Sequence, residues 1–302
     1  MKRIYYESKN AINGIYSYYN HRAKFSESLG FKLKYNLKNF SQIDILWTGL
    51  NAKYWEEEDK NILKKININT LFISLHKPQD FLREKLLAIK ELKTNKIIIT
   101  CPLKAILKYA ITKNIEKDLT DFLEENFIFI PYNAQENKEK EINKEYFYGF
   151  SGALHSFKHG AVSYKNIRLE MVNSIPKDKV SCYLNGSDNI KKFIKNEKYY
   201  RKIISKTKFW IFTQGPIDDV GARLIDIIRC RSIPLMPRLT YDYYDLFDYE
   251  NDVLEYKDGY HEKALTINND EYKRRLANLD RILNEKLSNN VLKEKMLKLI
   301  ND

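Results

Sequence analysis

Short runs of β-branched and aromatic residues alternate with amphipathic stretches of helical length along almost the whole chain. In the first half, the runs that predict strands are Arg3–Tyr6, Phe31–Tyr35, Ile43–Trp47, Thr70–Leu75, Lys96–Thr100 and Phe127–Pro131. The stretches that predict helices between them include Ala23–Leu29, Trp55–Lys65 and Phe81–Leu92. Because alternating strands and helices favour right-handed crossovers, this pattern predicts an α/β fold with a mostly parallel sheet.

The same alternation restarts after Asn133–Glu145, a polar and charged segment that is typical of a linker or surface loop. The later strands predicted are Tyr146–Phe150, Val180–Leu184, Phe209–Thr213 and Ile233–Met236, and the later helices are Tyr164–Ser174, Asn189–Ser205 and Asp219–Arg231. The tail from Asp270 to Ile300 predicts one or two helices. We therefore expect two Rossmann-like domains, residues 1–140 and 141–265, facing each other across a ligand cleft. Residues 266–302 are expected to form helices that pack on the body.

Composition and charge narrow the class of protein. The 302 residues include no apolar run of 18, and the start of the chain has no apolar signal region, so we expect a cytoplasmic protein without a transmembrane segment. The three cysteines lie far apart, which indicates neither a zinc site nor a disulfide framework. A net charge of +12 favours an anionic partner such as a nucleotide, a nucleic acid or a phosphorylated glycan. A base composition that favours lysine codons would produce the same excess.

The segment from Thr207 to Pro237 carries the most chemical information. It predicts a strand, a loop that contains Gly215, a helix that Asp218 or Asp219 can cap, and a second strand. On that helix Arg223 and Asp226 lie one turn apart, beside the apolar face. A guanidinium there can bind a diphosphate through two hydrogen bonds, and the carboxylate can accept ribose hydroxyls. The spacing fits an ion-pair ladder on a surface helix equally well, so both interpretations stay open.

This order of residues resembles the donor-binding half of GT-B glycosyltransferases, particularly the exostosin-like group. The matching positions are Gly215, Arg223, Leu224, Asp226, Ile233 and Pro234. The resemblance implies that Arg223 contacts the diphosphate of a nucleotide sugar and that Asp226 contacts the ribose or sugar hydroxyls. Asp219 belongs to the same expected donor site, although its charge at the helix start opposes a diphosphate. The family's glycine before the Ile-Pro strand is Arg231 here.

Upstream, YFYGFSGALHS and the following helix YKNIRLEMVNSI are similar to the strand, loop and arginine-containing helix that begin the same half of the family. The resemblance therefore implies that Ser151, Gly152 and Arg168 lie near the donor. It covers residues 145–260, and the first half of the chain shares only the general alternation.

The resemblance also implies a general base in the first domain, which takes the proton of the acceptor hydroxyl. His76, at the end of a predicted strand, is the first candidate for this base, and Asp44 is the second. Cations can stabilise the leaving diphosphate, and the donor half has no D-x-D motif, so no metal site is expected. We expect a UDP- or GDP-sugar co-substrate and no further cofactor.

The leading expectation is thus a metal-independent, inverting hexosyl- or pentosyltransferase that acts on a glycan or on modified DNA. The alternative is a non-catalytic nucleic-acid-binding protein that uses the basic stretch Lys191–Lys208, although the apolar residues of this stretch favour a helix that covers a sheet. A dinucleotide enzyme is disfavoured because no G-x-G-x-x-G follows the first strand. The sequence does not predict the oligomeric state.

Overall fold

The computed structural model describes residues 1–6, 25–50, 57–75, 82–99, 103–130, 142–151, 163–176, 182–185, 197–213, 222–238 and 246–301. The chain divides into two compact units. The first unit comprises Met1–Gln135 together with Leu287–Asp302, and the second comprises Glu136–Lys286. Among the helices in these ranges, none combines the length and the apolar character needed to cross a bilayer.

The first unit contains a parallel sheet of six strands in the order β2-β1-β3-β4-β5-β6. The strands are β1 (Arg3–Tyr6), β2 (Lys32–Lys34), β3 (Gln42–Leu50), β4 (Asn67–Leu75), β5 (Lys93–Ile99) and β6 (Phe127–Phe129). The helices between them are α1 (Glu57–Leu63), α2 (Leu82–Lys90), α3 (Leu103–Thr112) and α4 (Lys117–Asn126). Residues 25–28 add a helical turn. Every strand pair in this sheet is parallel, as the alternation of strands and helices predicts.

The second unit contains a parallel sheet of five strands in the order β11-β10-β9-β7-β8. The strands are β7 (Tyr146–Ser151), β8 (Cys182–Asn185), β9 (Thr207–Ile211), β10 (Ile233–Met236) and β11 (Leu254–Glu255). Its helices are α5 (Ser163–Asn173), α6 (Glu197–Ser205), α7 (Ala222–Arg229), α8 (Tyr260–Thr266) and α9 (Asn269–Lys286). The sequence did not predict β11 or α8. The α/β class with a helical C-terminal segment is confirmed.

The last helix, α10 (Asn289–Asn301), belongs to the first unit. Its Leu292 and Met296 are buried in the same apolar cluster as Phe31 and Trp47. Lys96 of β5 also donates a hydrogen bond from Nζ to the Leu299 carbonyl at 2.9 Å. The end of the chain thus completes the core of the unit that the beginning of the chain forms.

An aromatic cluster forms the centre of the core of the first unit. The Trp47 side chain on β3 is fully buried and meets four aromatic rings edge-on. The centroid distances are 5.5 Å to Tyr5, 6.0 Å to Phe25, 5.6 Å to Phe31 and 4.9 Å to Phe72. Edge-to-face pairs at these distances stabilise the fold beyond the burial of their area.

The core of the second unit depends on one close approach. Trp210 on β9 lies over Gly149 on the neighbouring strand β7, and a Cβ added at Gly149 would come within 2.4 Å of the Trp210 ring. Residue 149 must therefore lack a side chain for the buried tryptophan to pack on the sheet. The phenol ring of Tyr200 on α6 packs edge-on against the Trp210 ring, with 6.1 Å between the ring centroids.

Candidate functional site

The second sheet reverses its strand order between β7 and β9. From β7 the chain continues to β8 on one side, and it later returns to form β9 on the other side. Open parallel sheets bind ligands outside the carboxyl ends of the strands at such a switch point. Ser151 ends β7, and Thr213 follows β9 by two residues, so both hydroxyl side chains lie at this edge. Each residue is only 7% exposed.

Arg168 reaches this edge from α5. Met171 and Val172 lie three and four residues later on the same helix face, and both are buried. Arg168 lies on this buried side of the helix and is itself half-buried. Its Nε donates a hydrogen bond to the Thr213 hydroxyl oxygen at 2.8 Å. This hydrogen bond holds Arg168 at the end of β9, and its contact with a donor stays a prediction.

Arg223 lies in the first turn of α7, the helix that follows β9. The opposite face of this helix is buried through Leu224, Ile227 and Ile228, so the Arg223 side chain is exposed. Within the part of the chain that the structure describes, Arg223 makes no hydrogen bond and no ion pair. Burial raises the pKa of the Tyr200 phenol to about 12, and the positive charge of Arg223 opposes this increase. The guanidinium thus lies near Tyr200 and remains open to solvent at the start of the helix.

Asp226, one turn further along α7, is engaged by two other arginines. Its Oδ1 lies 3.7 Å from a guanidinium nitrogen of Arg201 on α6 and 3.7 Å from one of Arg229 on α7. Arg229 is 4% exposed, so this carboxylate balances a buried positive charge. The structure therefore gives Asp226 a packing role between two helices. A contact of Asp226 with ribose stays a prediction.

The basic helix that the sequence offered as a nucleic-acid surface packs on the sheet. In its described part, α6, Ile203 and Ile204 are buried, and Tyr200 packs against Trp210. Tyr199 and Lys202 are exposed. The apolar face thus covers the second sheet, as the apolar periodicity of this stretch predicts.

Comparison with solved structures identifies similar folds. The DNA-modifying β-glucosyltransferase, solved in the presence and absence of uridine diphosphoglucose, superposes with a TM-score of 0.62 at 12% identity over 100% of both chains. The T4 phage β-glucosyltransferase in complex with UDP and Mn²⁺ gives 0.60 at 13% identity, again over 100% of both chains. TarM from S. aureus, in complex with UDP, fondaparinux and α-GlcNAc-glycerol, gives 0.52 at 16% identity. That comparison covers 85% of this chain and 55% of TarM, so this chain spans about half of TarM's length.

The chain has the GT-B fold. At these identities the likeness establishes the fold alone. No protein-family model matches the sequence, and no curated protein sequence matches it either. The GT-B part of the resemblance is confirmed, whereas its exostosin-like features stay predictions.

Several residues of the predicted GT-B site lie outside the described ranges. They are the first candidate base and three positions of the donor loops: His76, Gly152, Gly215 and Asp219. Among the residues that are described, no cluster of three or more His, Cys, Asp or Glu side chains could hold a metal ion.

The structure places Asp44, the second candidate base, at the amino end of β3. There its carboxylate accepts hydrogen bonds from the Lys2 backbone N–H and, at 3.5 Å, from the Asn69 side chain. Ligands of open α/β sheets bind at the opposite, carboxyl edge. The geometry gives Asp44 a role in tying the start of the chain to the first sheet.

Proposed function

We propose that this chain is a glycosyltransferase that moves a sugar from a nucleotide-sugar donor to a hydroxyl group of an acceptor. The observation that carries the proposal is the switch-point edge of the second sheet, where Arg168 is held on Thr213 and Arg223 is exposed at a helix start. The GT-B fold supports it, since solved structures of this fold include complexes with UDP.

In this proposal Arg223 and Arg168 bind the diphosphate of the donor. Guanidinium groups suit phosphate oxygens because they donate paired hydrogen bonds from one plane. Both arginines would stabilise the negative charge that develops on the diphosphate as it leaves, without requiring a metal. Ser151, Gly152, Gly215 and Asp219 belong to the same donor site, and Asp226 would contact ribose or sugar hydroxyls. UDP and GDP are the proposed carriers.

The reaction would proceed with inversion. The acceptor oxygen forms a bond to the anomeric carbon while the bond from that carbon to the diphosphate oxygen breaks. The acceptor proton passes to a general base of the first unit, for which we propose His76. The proposed acceptor is either a glycan or a nucleic acid. The net charge of +12 favours an acidic acceptor. We propose that the transferred group is a hexosyl or a pentosyl group.

The first test is a screen for thermal stabilisation by UDP, GDP, CMP and their sugars. A ligand that binds the folded protein raises its unfolding temperature by mass action. We expect one nucleotide and its sugars to stabilise the wild type, and Arg223→Ala to lose this stabilisation while keeping its unliganded melting temperature. Release of the nucleoside diphosphate from the effective nucleotide sugar then reports turnover.

Arg281→Ala is the matched control. Arg281 is also an exposed arginine of the second unit without a hydrogen bond or ion pair to the described residues. It lies on α9, beside Asp280, which pairs with Arg231 just before β10, so it belongs to the amino edge of the sheet. We expect this variant to respond like the wild type. If no nucleotide stabilises the wild type, or if both variants lose the response equally, the proposal fails.

A further inference from the structure

Two cationic side chains pair with one carboxylate at the carboxyl ends of β10 and β11. Glu255 is the last residue of β11, and Arg238 follows β10 by two residues. The Arg238 Nε donates to Glu255 Oε1 at 2.9 Å, and its Nη2 lies 3.5 Å from Oε2. The Lys257 Nζ lies 3.0 Å from the same Oε2. One negative charge thus holds two positive charges at the carboxyl edge.

Exposure divides this group into a buried anion and an open cationic face. The Glu255 side chain is 10% exposed, whereas those of Arg238 and Lys257 are 63% and 53% exposed. Burial by itself raises the pKa of Glu255, but hydrogen bonds from Lys257 and Arg238 outweigh it and lower that pKa below its ordinary value. Glu255 therefore stays ionised. The groups that this cluster exposes to solvent are the N–H donors of Arg238 and Lys257.

The Arg238 guanidinium is held in place from a second side. It lies 4.8 Å over the ring of Tyr249, which is 6% exposed. The buried Arg275 side chain fixes the segment between Tyr249 and β11 by donating to the carbonyls of Val253 at 2.7 Å and Glu250 at 2.6 Å. A cation that is already fixed loses little conformational freedom when it binds a ligand.

The location separates this group from the proposed diphosphate site. β9, β10 and β11 are neighbours, and strands lie about 4.8 Å apart, so β11 ends about 10 Å from β9. A group at that distance lies further along the same sheet edge than the proposed diphosphate site. It lies within the reach of a substrate that is bound there.

We propose that Arg238 and Lys257 form an oxyanion subsite that binds a carboxylate or phosphate group of the substrate, in addition to the diphosphate of the nucleotide. The inference rests on the proposed function. A surface of donors alone cannot accept hydrogen bonds from neutral sugar hydroxyls, whereas it complements an acidic group. The acidic group could come from the donor, as the carboxylate of a uronic acid, or from an acidic acceptor.

The donor source is tested by measuring the affinities of UDP, UDP-glucose and UDP-glucuronate calorimetrically. If the donor supplies the acid, UDP-glucuronate should bind about tenfold more tightly than UDP-glucose, the gain typical of a charge-assisted hydrogen bond. Arg238→Gln and Lys257→Gln should each remove this preference while leaving UDP affinity unchanged. Lys257→Gln keeps the Arg238–Glu255 pair, so it remains informative if Arg238→Gln folds poorly.

Arg274→Gln is the control for both substitutions. Arg274 is a half-exposed arginine of the same unit that pairs with Glu271 and with Asn251, which precedes β11. Its loss should leave the preference for UDP-glucuronate intact.

The acceptor source is tested by titrating inorganic phosphate and glucuronate into UDP-saturated protein. If the acceptor supplies the acid, one of them should bind and should weaken at least fivefold in Arg238→Gln. The subsite is refuted if UDP binds, but UDP-glucuronate shows no preference over UDP-glucose that depends on Arg238, and neither phosphate nor glucuronate binds in a way that depends on Arg238. If none of the screened nucleotides binds, the proposed function fails, and anion binding that depends on Arg238 in the absence of a nucleotide decides the subsite separately.

Discussion

The two sheets share the same strand order, apart from a sixth strand in the first, and differ in the side chains at the point where that order reverses. In the first sheet the reversal lies between β1 and β3, where Tyr6 and Thr48 are 3% and 1% exposed. In the second it lies between β7 and β9, where Arg168 is anchored on Thr213 and Arg223 is exposed. The topology provides both edges with a place for a ligand, and only the second has described cations suited to a diphosphate. Function is thus read from these side chains, not from the fold.

The cores differ as well. Tyr5, Phe25, Phe31 and Phe72 surround Trp47 in the first unit, whereas Trp210 in the second lies over the bare backbone of Gly149. One unit depends on filling space with large rings, and the other on keeping one position empty. The two cores should therefore respond to opposite kinds of substitution.

The largest effect should come from emptying the first core. Trp47→Ala removes a fully buried ring and leaves four aromatic rings without their common partner, so we expect it to lower the free energy of unfolding by about 3–5 kcal/mol. Urea denaturation followed by circular dichroism measures the change. Trp47→Phe should cost less, and equal costs for both substitutions would contradict the role of ring volume.

Filling the second core should be the next largest effect. In Gly149→Ala the new methyl would meet the Trp210 ring at 2.4 Å, so we expect a loss of about 1–3 kcal/mol in the same denaturation experiment. Trp210→Phe makes room for the methyl, so the double variant should be more stable than the sum of the single changes predicts. Strict additivity would show that the two residues do not compete for space.

A smaller effect, on UDP affinity, should differ between the two switch-point edges. Thr213→Val keeps the shape of the side chain and removes the acceptor of the Arg168 hydrogen bond, so UDP affinity should fall about three- to tenfold, or about 1 kcal/mol. Thr48→Val makes the same change at the corresponding edge of the first sheet and should leave UDP affinity unaltered. Calorimetric titration of both variants distinguishes the edges, and equal losses would remove the distinction.

The smallest effect should be on the stability of the fold at acidic pH. The pKa of Glu255 is lowered in the folded protein, so the ionised carboxylate stabilises the fold above the ordinary glutamate range, and this stabilisation is lost as the pH falls through the folded pKa. Glu255→Gln should therefore destabilise the protein at pH 7 and should show a shallower decline of stability below pH 4.5, the ordinary value. Parallel pH profiles of the two proteins would contradict this linkage.

Periodicity could predict most of the fold because the central strands consist of apolar runs, as in Ile97–Ile99 of β5. It could not predict the whole of β3, because Gln42 at one end and Thr48–Leu50 at the other join the strand through backbone pairing with β4. It also missed β11, a strand of two residues that carries no alternation and exists because its backbone pairs with β10.

The relative positions of the candidate site residues were predictable only where one segment carries them. Arg223 and Asp226 share one helix, so spacing alone placed them together, but it could not show that Asp226 pairs with Arg201, which lies on another helix. The pairing of Arg238 with Glu255 joins the ends of two neighbouring strands and had no signal in the sequence. Such contacts are fixed by the sheet order, which the chain reaches only after folding.

Hydrogen–deuterium exchange with and without a saturating amount of the nucleotide that stabilises the protein most in the thermal screen compares the two edges in one experiment. Nucleotide binding at the second switch point should slow exchange in the peptides that carry Arg168, Thr213 and Arg223, and these peptides should show the strongest protection in the chain. Protection confined to the peptides of β1, β3 and β4 in the first unit, or no protection anywhere, would contradict the assignment of the donor site to the second sheet.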